Sequence, residues 1–318
     1  MIITVTLNAA LDRILTVPNF QLGHRHRASE GLALPGGKGV NIARALKRLD
    51  VPVIATGLAG GGTGTRILEE LRIDGILHDF VLIGDESQTS TTVVDPSGNS
   101  YTEIYERGPK VEPGELELFL EKLHYLARSA DWVVFAGSLP RAVDDAFYAE
   151  AIRDLNRRGV RTALDAEGEP LRLGVEAEPF LVSPNEREAE ALVGHEFNEE
   201  ADFVQALDDI AEQGARNVLI GEGSGCFALF REERERRRFR VVAPKLDAVS
   251  PVGSADVLLA GFIAAQVAGR PLEEALRSAV AAGAASTLAV GAGRFEPREA
   301  GRLLPGVEVV ELARAELS

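Results

Sequence analysis

The sequence predicts a doubly wound α/β fold: a mostly parallel sheet with helices on both faces, and a small second β-sheet. Two observations predict it. From residue 53 onward, short β-branched runs alternate with amphipathic helical runs, the pattern of crossover-linked parallel strands covered on both sides. Two strand-rich segments, 13–34 and 90–108, break that rhythm and suggest a small sheet standing off the main body.

Ile2-Ile3-Thr4-Val5-Thr6-Leu7 reads as a buried strand from its β-branched content. Asp12 follows its carboxyl end, the side on which open α/β sheets bind ligands. Residues 13–34 carry the cluster His24-Arg25-His26-Arg27. Strand 53–58 leads to helix 65–71, and 78–83 is another strand. Segment 90–108 reads as a hairpin with its turn at Pro96 to Asn99. Helix 115–128 precedes strand 132–136 and the turn Gly137-Ser138-Leu139-Pro140. Helix 145–158 precedes strand 161–164. Strand 180–182 precedes helix 185–193, and helix 201–213 precedes strand 218–220. Strands 227–230 and 239–242 flank the charge run 231–238, read as a solvated hairpin tip. Helices 253–267 and 272–290 close the pattern. No linker, internal repeat or low-complexity tract interrupts residues 1–318, so one domain is expected.

Composition narrows the function. The chain has 318 residues, 45% of them hydrophobic, enough for a substantial core. Its 49 acidic residues outnumber 34 basic ones, for a formal charge of −15. That balance argues against nucleic acid or an anionic membrane as the main partner. A single cysteine, Cys226, rules out an internal disulfide framework and fits a reducing compartment. No apolar run is long enough to span a bilayer, so a soluble cytoplasmic protein is expected.

Two glycine-containing turns open helices, the later one apolar and the earlier one amphipathic. In Ser250-Pro251-Val252-Gly253-Ser254-Ala255-Asp256, a turn of small residues leads into the helix. The first N–H groups of a helix lack intrahelical partners and, with the helix dipole, favour an anion. Asp256 in that first turn has two readings, a capping carboxylate or a general base beside a bound phosphate. The second turn is Pro35-Gly36-Gly37-Lys38-Gly39-Val40-Asn41. It is no Walker A loop, because position 32 is Leu and Gly39 stands where Ser or Thr is needed. A G-x-G-x-x-G dinucleotide fingerprint is absent too.

Together the two turns resemble the paired signatures of the PfkB (ribokinase-like) family of carbohydrate kinases. One is the glycine-rich sugar-side motif. The other is the anion hole with its aspartate, usually G-A/S-G-D and here Gly253-Ser254-Ala255-Asp256. Thr6-Leu7-Asn8-Ala9-Ala10-Leu11-Asp12 looks like the T-L-N-P-A-L-D opening of the 1-phosphofructokinase and tagatose-6-phosphate kinase branch. The resemblance implies a ribokinase-like fold with a β lid, ATP and Mg2+ as cofactors, a sugar-phosphate acceptor and a homodimer formed through the lid. It implies Asp256 as the base, with the N–H groups of Ser254, Ala255 and Asp256 as the anion hole. Ala255, followed at once by helix, is expected at helical backbone angles.

Carried over residue by residue, the sugar side falls on Asp12, Gly37, Lys38, Asn41, Ser138 and the lid residue Arg27. The nucleotide side falls on Asn185, Gly221, Gly223, Gly225 and Gly253. Ser183-Pro184-Asn185-Glu186-Arg187-Glu188 has a structural reading, with Ser183 as cap, Pro184 as first helical residue and Glu186 completing a capping box. The family's N-x-x-E motif, Asn185 with Glu188, implies instead a magnesium held through water. The chain departs from the branch at Ala9, Gln88, Ser183, Pro251 and Ala255. Gln88 stands where an arginine usually grips the substrate phosphate, and Gln offers neither charge nor a bidentate fork. The alternatives are a kinase of an unphosphorylated sugar or nucleoside, and a catalytically weak binding homologue.

Overall fold

The computed structural model describes residues 1–98, 100–223, 225–232 and 235–312. Elements are numbered along the chain. A ten-stranded sheet has the order β14-β13-β12-β11-β10-β9-β8-β1-β4-β5. Its parallel part is β1 (Ile2–Thr6), β4 (Val53–Gly60), β5 (Leu77–Ile83), β8 (Trp132–Ala136), β9 (Arg161–Asp165), β10 (Leu181–Val182) and β11 (Val218–Glu222). The strands β12 (Gly225–Glu232), β13 (Glu235–Val242) and β14 (Glu308–Leu312) extend it antiparallel. A separate four-stranded sheet has the order β3-β2-β6-β7, from β2 (Ala10–Thr16), β3 (Glu30–Gly36), β6 (Gln88–Asp95) and β7 (Ser100–Tyr105).

Helices cover both faces of the main sheet. Neighbouring residues of β1 point to opposite sides: Ile2 joins one core and Ile3 and Val5 the other. The first core is closed by α1 (Lys38–Arg48), α2 (Gly61–Ile73), α8 (Ser254–Val267), α9 (Leu272–Ser286) and α10 (Pro297–Leu303). The second is closed by α3 (Pro113–Ala127), α4 (Phe147–Arg157), α5 (Gly168–Val175), α6 (Glu186–Val193) and α7 (Glu200–Gln213). Helix α8 is apolar nearly all round because it is buried between α1 and α9. Strand order runs outward from β1 in both directions, so the carboxyl ends of β1 and β8 flank a topological switch point. Among the described residues no helix is long and apolar enough to cross a membrane.

Several expectations change. Asp12 does not merely follow β1; it lies inside β2, on the second sheet, paired in register with Leu34 and Ser90. The last long helix ends at Ser286 rather than 290, where the Ser286 and Thr287 hydroxyls donate to carbonyls one turn back. The elements α5, α10 and β14 have no counterpart in the sequence reading. Asn99 of the expected hairpin turn lies outside the described residues, as do Glu233 and Arg234 of the charge run. That run is not simply solvated. Arg238 is 6% exposed and pairs bidentately with Asp208 of α7, Nη2–Oδ1 2.5 Å and Nε–Oδ2 3.1 Å. Strand alternation puts Arg236 and Arg238 on the same face, toward the helix that supplies the counter-ion; Arg238 is the one buried beneath it, while Arg236 stays partly exposed, 3.9 Å from Asp208 Oδ1.

Removing one member of such a pair leaves a buried charge without a partner. Asp208→Ala should lower unfolding free energy by about 3–5 kcal/mol, and Asp208→Leu with Arg238→Met should recover most of it. Urea denaturation of the two variants checks this; equal losses in both would sink the assignment.

Candidate active site

The site is built where strand ends and helix starts converge. Asn8 leaves β1, Gly137 and Ser138 leave β8, and Asp165 ends β9. Helices α1 and α8 begin at the same place. Their N-caps, Gly37 at φ 98° and Gly253 at φ 78°, lie in the left-handed region and carry no side chain to cap the helix. A Cβ on Gly253 would lie 2.6 Å from that of Ala292, and one on Gly37 would lie 2.6 Å from Thr6 Cγ2. Both turns therefore bring backbone close to its neighbours and leave the first helical N–H groups open.

A cleft of about 770 Å³ lies between the strand ends and the second sheet. Asp12, Gly37, Lys38, Asn41, Ser138, Gly253, Ser254, Ala255 and Asp256 all line it. A second cavity of about 440 Å³ adjoins it and is lined by Gly221, Gly223, Gly225 and the α9 residues Val280, Gly283 and Ala284. Asn185, Pro251, Ser254 and Ala255 belong to both, so the start of α8 is the wall they share. Gly253 lines the larger cleft only, not the second cavity. Arg27 lies exposed in the connection between β2 and β3 and lines neither cavity.

The anion hole differs in one respect from the expectation. The Ser254 N–H closes a turn onto the Pro251 carbonyl at 3.2 Å. Val257 makes the first intrahelical bond, to Gly253. The N–H groups of Ala255 and Asp256 are those that remain, and Ala255, the second residue of α8, has helical backbone as expected. The capping reading of 183–188 also moves. Asn185, not Ser183, is the N-cap of α6; its Oδ1 accepts from the Glu188 N–H while Glu188 Oε2 accepts from the Asn185 N–H, both 2.9 Å. Asn185 and Glu188 are thus one rigid unit.

Asp256 is 5% exposed. Asn41 Nδ2 donates to its Oδ2 at 2.9 Å, and Arg44 Nη1 donates to Asn41 Oδ1 at 3.1 Å. Arg44 is in turn held by the Pro35 and Ala292 carbonyls and by Asp74. Burial pushes the Asp256 carboxyl up to about 8, with the charge of Asp165 adding and Lys38 and the Asn41 bond opposing. Burial likewise lifts Asp12 to about 6, against the pull of Arg44. Lys38 Nζ sits 2.6 Å from Asp165 Oδ1 and 2.7 Å from Glu188 Oε1. Burial disfavours its charge, but the two carboxylates outweigh burial and hold the ammonium well above its ordinary range.

Sequence reasoning missed Asp165 and Arg44. The expected strand 161–164 stopped one residue short of Asp165, and an acid at the carboxyl end of a parallel strand was the available signal. Glu103, Glu106, Glu167 and Tyr105, which also line the cleft, left no signal of that kind.

The fold and site define a carbohydrate kinase. The chain belongs to the family described as pfkB family carbohydrate kinase, which it matches over residues 4–299. It is 34% identical to the 1-phosphofructokinase of Bacillus subtilis over 98% of this chain and all of that one. It is 29% identical to the tagatose-6-phosphate kinase of Staphylococcus epidermidis, over 98% and 100% of the two chains. Among solved structures, a possible 1-phosphofructokinase of Thermotoga maritima superposes with a TM-score of 0.89 at 26% identity, covering 98% of this chain and 100% of that one. Phosphofructokinase-2 of Escherichia coli, in complex with substrates and products, gives 0.87 at 26% identity, covering 96% and 98%. The ribokinase-like fold and the sugar-kinase class expected from the two glycine turns are borne out.

The raised Asp256 carboxyl has a consequence for stability. Its ordinary value is 3.8 and its folded value about 8, so the neutral acid stabilises the fold at low pH. That contribution is complete below the unfolded value and is lost as pH rises through about 4 to about 8. Asp256→Asn cannot ionise. Its melting temperature should gain on wild type steadily across that window, measured by a thermal series in pH. Parallel pH profiles for the two proteins would contradict the buried-acid assignment.

Proposed function

We propose that the protein transfers the γ-phosphate of ATP to a hydroxyl group of a sugar phosphate, with fructose 1-phosphate as the acceptor. The observation that carries this reading is the position of Asp256, a buried carboxylate that lines the larger cleft directly beside Ser254 and Ala255, the wall it shares with the second cavity. The larger cleft takes the sugar and the smaller cavity takes the nucleotide. Small residues, Gly225, Gly283 and Ala284, leave room there for a flat base.

Phosphoryl transfer asks for alignment, charge stabilisation and a proton acceptor. Asn41 engages Asp256 Oδ2, leaving Oδ1 for the proton of the acceptor hydroxyl. The hydroxyl oxygen then bonds to the γ-phosphorus as the bond to the β-phosphate oxygen breaks. The N–H groups of Ala255 and Asp256 meet the charge on the moving phosphoryl group. Asp12 and Ser138 line the cleft and are the residues to engage the sugar hydroxyls. Loss of the base in Asp256→Asn should reduce kcat by about 10² to 10⁴.

Magnesium fits the residues present. Asp165 and Glu188 offer hard carboxylate oxygens, and Asp165 Oδ2 is buried with no hydrogen-bond partner. Asp165, Glu188 and, through water, Asn185 are the residues that would hold it. When bound it neutralises phosphate charge. A homodimer through the second sheet is supported by β7, whose residues are all exposed and include Tyr101, Ile104 and Tyr105. A reducing cytoplasmic setting is consistent with the lone, buried Cys226.

One observation favours an unphosphorylated acceptor instead. The carboxylates of Asp12, Glu103, Glu106, Glu167 and Asp256 line the cleft, and Gln88 is tied to the Asn8 carbonyl at 3.3 Å. Turnover of ATP across matched sugars and sugar phosphates decides between the two. Gln88→Arg should lower KM for the sugar phosphate by the value of one charge-assisted contact, roughly 1.5–3 kcal/mol. Free sugars outperforming their phosphates, with no effect of Gln88→Arg, would overturn the sugar-phosphate reading.

A further inference from the structure

The cleft's charge raises a problem that the positions of its cations address. Among the described residues lining it, Lys38 and Arg44 are the cationic side chains. Arg44 is 4% exposed, and its guanidinium is used by Asp74, Asn41, Pro35 and Ala292. Lys38 differs. Its side chain is 30% exposed and lies on the cleft wall at the first residue of α1, yet its ammonium is turned onto Asp165 and Glu188. Those two carboxylates are 2% and 10% exposed, and the ammonium between them offsets the repulsion of two buried charges. Asp165 Oδ2 has no hydrogen-bond partner at all, so the lysine only partly satisfies the pair.

We propose that Lys38 is a displaceable counter-ion: its ammonium holds the place of a divalent cation between Asp165 and Glu188, and the cation's arrival releases it into the acceptor cleft. Lysine suits this task, being a compact charge on a flexible four-carbon stem, whereas arginine's rigid fork would lock onto the carboxylates. A hard dication brings twice the charge and takes oxygen ligands, including the unpartnered Asp165 Oδ2. Released, Lys38 supplies the positive charge that a cleft lined by five carboxylates otherwise withholds from an anionic acceptor. Cation and acceptor are then coupled through one side chain. Each must tighten the other's binding by the same factor. The acceptor half of this proposal rests on the sugar-phosphate reading; the cation half does not.

Mn2+ alone, without nucleotide, is the probe, with free Mn2+ followed by electron paramagnetic resonance. Wild type should bind it weakly, and Lys38→Gln about tenfold or more tightly, because the resident charge is gone. Adding Asp165→Asn to Lys38→Gln should abolish that gain. Thermal melting with and without Mn2+ gives the same ranking independently. In wild type, calorimetry should show fructose 1-phosphate binding severalfold more tightly when Mn2+ is present, and Lys38→Gln should lose this coupling. A well-folded Lys38→Gln that binds Mn2+ no better than wild type overturns the proposal. Should that variant fail to fold, absence of coupling between Mn2+ and fructose 1-phosphate in wild type overturns it. Failure of the kinase reading looks different: Mn2+ affinity still rises in Lys38→Gln, but no acceptor is phosphorylated by any variant.

Discussion

The constraint on which this structure depends is the burial of carboxylates at the carboxyl edge of a parallel sheet. Asp256 sits in the first turn of an otherwise apolar helix, shut off from water. A buried acid without partners is expensive. Here Asn41 reaches it from α1, and Arg44, one turn further on, fixes the orientation of that amide. Arg44 can do so because two carbonyls and Asp74 fix Arg44 itself. Helices α1 and α8, more than two hundred residues apart in sequence, are thereby locked with their N-termini toward one point. The glycine caps of both helices keep those ends bare, so that the open N–H groups face the cavities rather than a side chain.

Charge is arranged on two scales. The chain as a whole is strongly acidic, at −15, and the acceptor cleft repeats that bias locally through Asp12, Glu103, Glu106 and Glu167. Burial lifts the carboxyls of Asp12 and Asp256, which lowers the negative charge of the cleft near neutral pH. The positive groups are spent on the carboxylates, Arg44 on Asp74 and Lys38 on Asp165 and Glu188. On the proposed function, such a site is poised for incoming charge. On that proposal, nucleotide and cation would change the balance around Asp256 and Lys38 together, since Asp256, Lys38, Asp165 and Glu188 interact.

Much of this was legible in the residues. Strand–helix alternation gave the parallel sheet because burying strands on both faces requires apolar runs, and covering them requires amphipathic helices. The two glycine turns announced helix N-termini lacking side-chain caps, and the family resemblance placed Asp256, Asn41 and the Asn185–Glu188 unit in or beside the cleft, where the fold brings them together. Helix ends were read less well: Ser183 was read as the cap of the helix that Asn185 caps, and only backbone direction separates them. The inward turn of Arg238 was equally invisible, since a run of charges carries no mark of which member lies beneath a helix.

What the sequence determined by itself is therefore local: which segments are strands, which turns leave N–H groups open, and which residue types can accept a proton or hold phosphate. Tertiary structure alone decided the rest. Lys38 meets Asp165 and Glu188 across 127 and 150 residues of chain. The Ser254 N–H is spent on Pro251, which removes one donor from the anion hole. Asp12 enters the cleft from the second sheet, and Arg27 stays outside it. For Lys38, Asp12 and Arg27 the physical reason is common. Hydrophobic periodicity and propensity act over a few residues, whereas ion pairs and cavities are set by how distant elements pack, and no short-range pattern encodes that distance.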